Sequence, residues 1–490
     1  MAPDLLVGID VGTTHLKTAA FTPAGEQIAI AHEKTPLRRV DGGGEYDALE
    51  LWAGIARCLA RVAAAVGPGR IASVGVASMA EAGVLLDGQG APLYPVITWF
   101  DPRTRPQAEQ LARDPGSAAL YRRSGLFVMP KHGLCKILWI KEHHPELFAR
   151  GAAWLSMAEW IAYCLTGRLA ACPTLAARTL GMDLATRTWA TDLLQALGVP
   201  NSLFPPLVAE GAALAPLSAV AAAATGLTAG TPVALAGHDH PCAAFAAGIA
   251  TPGQLLDSTG TAEAVIGAVP APILTDAALQ TEISQGPLPV PGLYGLQAGA
   301  SASGGSVEWL RRELLDDADY PALTNLAESA GEGPSGVLFL PHLAGGGPPA
   351  VEPASKGAFV GITYATTKAH LAKAVFEGTC LELRLMVDAM ERLRGAPFER
   401  VVVTGGHSRN PLWLQLKADI LGRPVSVPEV GEATLLGAAL LGAGGEAGAV
   451  RAERVIPPRP NVTEAYAQVF TDYRRLFPAL RPVYRGGGTV

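Results

Sequence analysis

A chain of 490 residues is too long for one ordinary hydrophobic core, and two domains are the natural expectation. Hydrophobic residues make up 49% and charged ones 17%, so there is material for two buried sheets and none of the composition of a disordered chain. A formal charge of −6 without any Lys/Arg run argues against nucleic acid as a partner.

The six cysteines, Cys58, Cys135, Cys164, Cys172, Cys242 and Cys380, form no C-x-x-C pair. They read as reduced thiols of a cytoplasmic protein, not as a disulfide frame or a zinc site. No basic and apolar leader precedes the strand-like run at Leu5, so a signal peptide is not expected. The stretch from Gly211 to Gly237 carries no charge, but Pro216, Gly226, Gly230 and Pro232 interrupt it. It reads as a short helix, a turn and a buried strand, Pro232 to Ala236, and no membrane association is expected.

In chain order, Leu5 to Asp10 is an apolar run ending in an acid, Val11-Gly12-Thr13-Thr14 is a turn, and Leu16 to Phe21 returns as a second strand of a hairpin. Leu49 to Val66 has helical spacing, and Ile71 to Ala77 is a β-branched strand. Helices follow around Arg105 to Arg113, Gly133 to His143 and Leu155 to Leu165. Near residue 255 the opening recurs: Leu255-Leu256-Asp257 leads into Ser258-Thr259-Gly260-Thr261, then a strand, Ala264 to Val269. That recurrence suggests an internal duplication. A helix is expected from Gly305 to Leu315, a Gly/Pro-rich loop from Pro341 to Pro353, and a long helix from Thr367 to Arg394. Val401 to Thr404 is a strand running into Gly405-Gly406, a helix spans Leu412 to Leu421, and the tail past Pro457 is a peripheral helix. Alternating strands and helices define an α/β architecture.

Three glycine-bearing turns each follow an apolar strand: Gly12-Thr13-Thr14, Ser258 to Thr261, and Gly405-Gly406. Backbone N–H groups in such turns surround phosphate oxygens, and together the three point to a nucleotide site. Asp10 is placed to hold Mg²⁺, and Lys17 to neutralise a terminal phosphate. No G-x-x-x-x-G-K-[ST] loop exists, and the glycine-rich Gly442 to Ala447 follows a helix-like segment, so neither a P-loop nor a dinucleotide fold is indicated.

Gly237-His238-Asp239-His240 ends the strand of the uncharged stretch. A carboxylate there can accept a proton from a substrate hydroxyl. The H-x-H spacing leaves open a metal site for a hydrolase, and a plain hydrogen-bonded His pair is the bland alternative. Glu81, after Ser78-Met79-Ala80, with Trp99, Asp101 and Arg103 beyond, suits a polyhydroxy ligand, with carboxylate to hydroxyls and ring face to C–H groups.

These segments resemble the FGGY carbohydrate kinases from about Leu6 to Leu441. Gly357 to Ile362, followed after seven residues by His370 to Glu377, fits the family's C-terminal signature. Lys136 to His143 agrees with the N-terminal one, from which Lys131 and Gly133 depart. The resemblance implies two actin-like, ribonuclease-H-like domains facing across a cleft, divided at 1–248 and 249–450 with a peripheral tail at 451–490. By position, Asp10, Thr13, Thr14 and Lys17 resemble the first phosphate motif, with Mg²⁺ at Asp10, and Gly260 and Thr261 the second. Gly304 and Glu308 sit where the family contacts nucleotide, Gly406 and Asn410 resemble the adenosine motif, and Asp239 stands at the catalytic base position. Glu81, Trp99, Lys131, Asp239 and His240 fall where relatives contact the acceptor.

The function so implied is ATP- and Mg²⁺-dependent phosphorylation of a small sugar or polyol, first of all a ketopentose such as xylulose, by a chain for which a homodimer is allowed. Ala80, His240 and Lys131 depart from the usual residues at their positions, and Gly345-Gly346-Gly347 lacks a Glu-Arg that often follows. Lys131 and His132 motivate an acidic sugar, an aldonate, as the alternative acceptor. A non-catalytic sugar or nucleotide sensor on the same fold, and the hydrolase above, are the alternatives of another class.

Overall fold

The computed structural model describes residues 3–448 and 453–485. Two sheets of like topology dominate it. The first begins with the expected hairpin: β1 (Leu5–Val11) and β2 (His15–Phe21) pair antiparallel, and β3 (Gln27–Lys34) adds outside β2. Helix α1 (Ala48–Val66) starts where Asp47 accepts the N–H groups of Leu49 and Glu50 at 2.8 and 3.1 Å, a side-chain cap for otherwise orphaned donors. Leu51, Ile55, Leu59, Val62 and Val66 recur at helical spacing and are buried against β1 and β2.

The chain returns as β4 (Ile71–Ser78), parallel to β1. Helix α2 (Gly133–His143) follows as expected, but Leu155 to Leu165 does not begin as a helix. Leu155 lies in a short strand, Ala153–Ser156, and α3 (Met157–Thr166) starts only after Ser156, which with Glu159 forms a capping box. Edge strand β5 (Ala213–Pro216), β6 (Pro232–His238) and α4 (Asp239–Ala246) complete this half. The strand order is β5-β6-β4-β1-β2-β3.

The second sheet repeats the plan. β7 (Gln254–Thr259) and β8 (Glu263–Val269) form the hairpin, and β9 (Ser284–Pro287) and β10 (Tyr294–Ala300) add outside β8. Helix α5 (Gly304–Trp309) is shorter than the expected Gly305 to Leu315, because a wider turn, Leu310–Leu314, replaces its second half. After α6 (Tyr320–Glu328) and the long α7 (Lys368–Arg394), β11 (Arg400–Thr404) joins parallel to β7. Helix α8 (Pro411–Leu421) leads to β12 (Val425–Pro428), parallel to β11. Helix α9 (Ala433–Gly442), β13 (Glu453–Ile456) and the tail helix α10 (Pro460–Arg485) finish the chain. The order is β9-β10-β8-β7-β11-β12-β13. In both sheets a hairpin and an outer strand flank two parallel strands on the other side, the duplication that the recurring turn suggested. The boundary expected at 450/451 lies outside the described residues.

Helix α9 belongs to the second half in sequence yet packs on the first sheet. The approach is backbone to backbone. A Cβ on Gly8 of β1 would stand 1.9 Å from the Leu435 carbonyl oxygen, and one on Gly75 of β4 1.8 Å from that of Ala438. Only glycine permits this contact. Among the described residues no helix is long and apolar enough to cross a membrane.

Candidate active site

The C-terminal ends of β1, β4, β6, β7 and β11 carry the residues singled out above, the usual place for a ligand in an open α/β sheet. The first turn is tight: Gly12 donates its N–H to the His15 carbonyl at 3.1 Å. Thr13 Oγ1 accepts the Trp99 indole N–H at 2.9 Å, which ties the turn to a ring 39% exposed, while Thr14 is exposed. Lys17, the third residue of β2, lies opposite Asp10 in the hairpin and is paired with Glu432 at 2.9 Å, at the start of α9. Both side chains remain about one-third exposed, so the ammonium stays within reach of solvent and ligand.

The second turn holds the start of α5. Gly304 donates its N–H to the Gly260 carbonyl at 3.1 Å and Gly305 to the Thr261 carbonyl at 2.9 Å. A Cβ on Gly304 would come within 2.4 Å of both the Gly260 oxygen and His407, which explains the glycine. Beneath the turn Lys417 Nζ donates to Thr259 Oγ1 and Glu263 Oε1, each at 2.6 Å, and closely to Asp257. All three charged groups are buried, and burial together with the Asp257 charge pushes the Glu263 carboxyl up to about 8 against the pull of Lys417.

The third turn, Gly405-Gly406, opens on a cavity of about 550 Å³ walled by Tyr320, Thr324, Gly406, His407, Asn410 and Trp413. Its size and its aromatic walls suit a nucleoside. Asn410 shapes it twice: Oδ1 accepts the Trp413 N–H at 3.1 Å as the cap of α8, and Nδ2 donates to Thr324 Oγ1 at 3.0 Å. Replacing Asn410 with Ala is expected to cost about 1 kcal/mol of stability through the lost cap and to raise KM for any nucleotide seated in the cavity several-fold. Urea unfolding and steady-state kinetics measure the two effects. Glu308 does not line this cavity: its carboxylate is held by Arg311 at 2.8 and 2.9 Å and by the Tyr320 hydroxyl at 3.0 Å, which keeps it down at about 2.

At the opposite end stands Asp239, the first residue of α4, with its carboxylate at the positive end of that helix. Oδ1 accepts the His240 backbone N–H at 2.6 Å and lies 3.1 Å from His238 Nε2. Burial opposes the charge, but His240 and His238 outweigh it and hold the carboxyl below its ordinary value. It is therefore ionised, the form that accepts a proton. The ligand atoms of His238, Asp239 and His240 lie within 4.8 Å of one another, the arrangement a metal-dependent hydrolase reading requires. Asp10 sits nearby. Burial first, then the Asp239 charge, push its carboxyl up to about 8, and its Oδ1 is buried with no hydrogen-bond partner. An orphaned carboxylate oxygen between acids fits a divalent cation or its bound water.

Glu81 follows β4 in a left-handed conformation, φ 65°. Arg178, 6% exposed, donates to Glu81 Oε1 through Nε at 3.0 Å and through Nη2 at closer range, and Lys131 Nζ lies 3.6 Å from the same oxygen. Although buried, Glu81 is held far below the usual carboxylate range by Arg178 and then Lys131. Lys131 is thus a partly exposed ion-pair partner of Glu81. Arg178 escaped the sequence reading; its one signal is that it is a lone charge in the apolar stretch from Leu169 to Met182.

Two expectations need correction. His132 supplies no positive charge for an acidic sugar: its ring is buried between the carbonyls of Arg178 and Phe127, and burial pushes it down to about 3. Asp101 and Arg103 do not face a ligand either. Asp101 accepts the Gly44 N–H at 2.9 Å and binds Arg103, which also reaches Glu45 at 2.7 Å, a knot that fixes the loop carrying Trp99.

Two sheets of like plan, with glycine-bearing turns at their strand ends, make up the actin-like fold of a phosphotransferase. The FGGY carbohydrate-kinase N-terminal domain matches residues 5–246 and the C-terminal domain residues 255–445. The chain belongs to the FGGY family of carbohydrate kinases and is an ATP-dependent sugar or polyol kinase. It is 31% identical to L-fuculokinase of Escherichia coli over 99% of each chain. It is also 33% identical to glycerol kinase of Thermus brockianus, over 89% of this chain and 88% of that one. Among solved structures it resembles xylulose kinase from Rhodospirillum rubrum, with a TM-score of 0.90 and 29% identity over 98% of this chain and 99% of that one.

Proposed function

We propose that the enzyme transfers the γ-phosphoryl group of ATP directly to a hydroxyl of a small sugar or polyol, first of all a ketopentose such as xylulose or a related polyol, with Asp239 as general base. The observation that carries this reading is the ionised Asp239 carboxylate at the end of β6, close enough to the first phosphate turn for its charge to act on Asp10. Asp239 takes the proton as the acceptor oxygen attacks in line; Lys17 and the N–H groups of the Gly12 and Gly260 turns steady the phosphate charge. Asp10 would hold Mg²⁺, which when bound neutralises phosphate charge. Adenosine occupies the cavity at Gly406 and Asn410, and Gly304 lets α5 approach the phosphates. Glu81, Lys131, Trp99 and His240 hold the acceptor's remaining hydroxyls. The same reading divides the chain near residue 248 and places the enzyme in the cytoplasm, in keeping with six free cysteines.

One observation favours a second acceptor class. With Arg178 taken up by the Glu81 carboxylate, the Lys131 ammonium, 3.6 Å from the same oxygen, is a further cation beside it, which suits an aldonate. A coupled ADP-release screen over ketoses, polyols and aldonates decides between them. Ketoses are expected to give the highest kcat/KM, preference for an aldonate would replace the first reading with the second, and no turnover with any acceptor would leave a sensor. Activity without ATP that a chelator abolishes would instead favour the hydrolase.

A further inference from the structure

Lys136 lies in α2, in the segment Lys136 to His143 that the chemistry above leaves unused. Its side chain is 0% exposed, and the hydrogen bonds it makes go to two main-chain carbonyls, that of Glu81 at 2.8 Å and, more closely, that of Lys131. A buried ammonium is costly, and a residue needed only as filler would be apolar. Burial has pushed its pKa down to about 8. The two carbonyls are not arbitrary. They belong to the residues that approach each other from separate loops, with Lys131 Nζ 3.6 Å from Glu81 Oε1. Glu81 has a left-handed backbone, which a residue with a long side chain adopts only when its surroundings impose it.

The carboxylate is fixed from a third segment. Arg178 addresses Oε1 with two of its nitrogens, and its third reaches Gln297 Oε1 at 3.4 Å on β10, in the other sheet. His132 in turn packs on the Arg178 carbonyl. Arg178 and Lys131 both address Oε1, which leaves Oε2 for a ligand hydroxyl. We propose that Lys136 and Arg178 are positioning residues for acceptor recognition: Lys136 holds the main chain of Glu81 and Lys131, and Arg178 holds the Glu81 carboxylate. Neither touches the acceptor. This rests on the reading that Glu81 and Lys131 face the acceptor.

Three variants of the 490-residue enzyme separate the two claims: Glu81→Gln, Lys136→Met and Arg178→Lys. Each is assayed for kcat, for KM of ATP, for KM of the best acceptor and for the ratio of kcat/KM between two acceptors. Lys136→Met strips the donor from two buried carbonyls and is expected to raise the acceptor KM about tenfold or more, with the ATP KM within about twofold. Arg178→Lys keeps the charge but loses the fork and is expected to raise the acceptor KM about fivefold and shift the acceptor ratio. An unchanged acceptor KM in Lys136→Met, or an equal rise in both KM values, overturns the role of Lys136. If Glu81→Gln raises the acceptor KM and the other two variants do not, the positioning claim fails alone. If Glu81→Gln changes nothing, the acceptor reading fails and takes this one with it. Should Lys136→Met not accumulate, Lys136→Gln, which keeps two N–H donors on a shorter arm, is measured by the same criteria.

Discussion

The Asp239→Asn enzyme is expected to turn over about a hundredfold or more slowly than the parent, with KM for ATP and acceptor within about threefold. Asparagine has nearly the same shape, and its Oδ1 still accepts the His240 N–H that the carboxylate accepts at 2.6 Å. Fold and ligand contacts therefore persist. What disappears is a group able to take the acceptor's proton. In the parent the helix start, His238 and His240 keep the carboxylate ionised in spite of its burial, so it is in the receptive form at neutral pH. The substitution also removes a negative charge that acts on Asp10, so the rate is measured at saturating Mg²⁺ to separate proton transfer from cation binding. Steady-state kinetics with coupled ADP detection measure the effect. A turnover near that of the parent would remove Asp239 from the chemistry.

Lys417→Met is expected to lower stability by about 3–5 kcal/mol, the cost of leaving a buried charge without its partner. Lys417 is the counter-charge of Asp257, which is 0% exposed, and it also donates at 2.6 Å to Glu263 and to Thr259. Methionine fills the volume but donates nothing, so the Asp257 charge and the Thr259 hydroxyl face an apolar neighbour. Thr259 opens the second glycine-bearing turn, whose carbonyls carry the start of α5 and which is proposed to meet phosphate, so KM for ATP is expected to rise several-fold as well. Asp257→Asn added to Lys417→Met removes the stranded charge and is expected to recover part of the stability, a coupling seen only if the groups act as a unit. Urea unfolding of the single and double variants tests both statements. A loss below about 1 kcal/mol in Lys417→Met would mean that water or a local shift satisfies the carboxylates.

Much of the fold and of the glycine-bearing turns was legible because their determinants are local. The run Leu5 to Asp10 must be a buried strand, and Gly12 must turn, since their neighbours in sequence impose it. The helix Gly133–His143 likewise follows from periodicity and from Pro145 just beyond its end, and the strand Arg400–Thr404 from its apolar run and Gly405-Gly406 after it. Leu155 was misassigned because an apolar residue beside a helical pattern does not reveal whether it lies before or after the cap. Lys131 and Arg178 show where such reading stops. In sequence Lys131 is a loop lysine and Arg178 a charge in an apolar stretch, and only folding closes the 97 positions between Glu81 and Arg178.

From sequence alone came the α/β class, the repeated hairpin turns, the family signatures and the carboxylate at 239, each carried by residues within a few positions of one another. Tertiary structure alone decided that Lys17 meets Glu432 across 415 positions, that Lys417 supports the second turn from beneath, and that α9 crosses to pack on Gly8 and Gly75. It also decided that His132 is buried and neutral instead of facing a ligand. Local pattern sets which backbone conformation a segment adopts. Charge and desolvation depend on which distant groups the completed packing brings within a few ångströms, and no short window of sequence contains them.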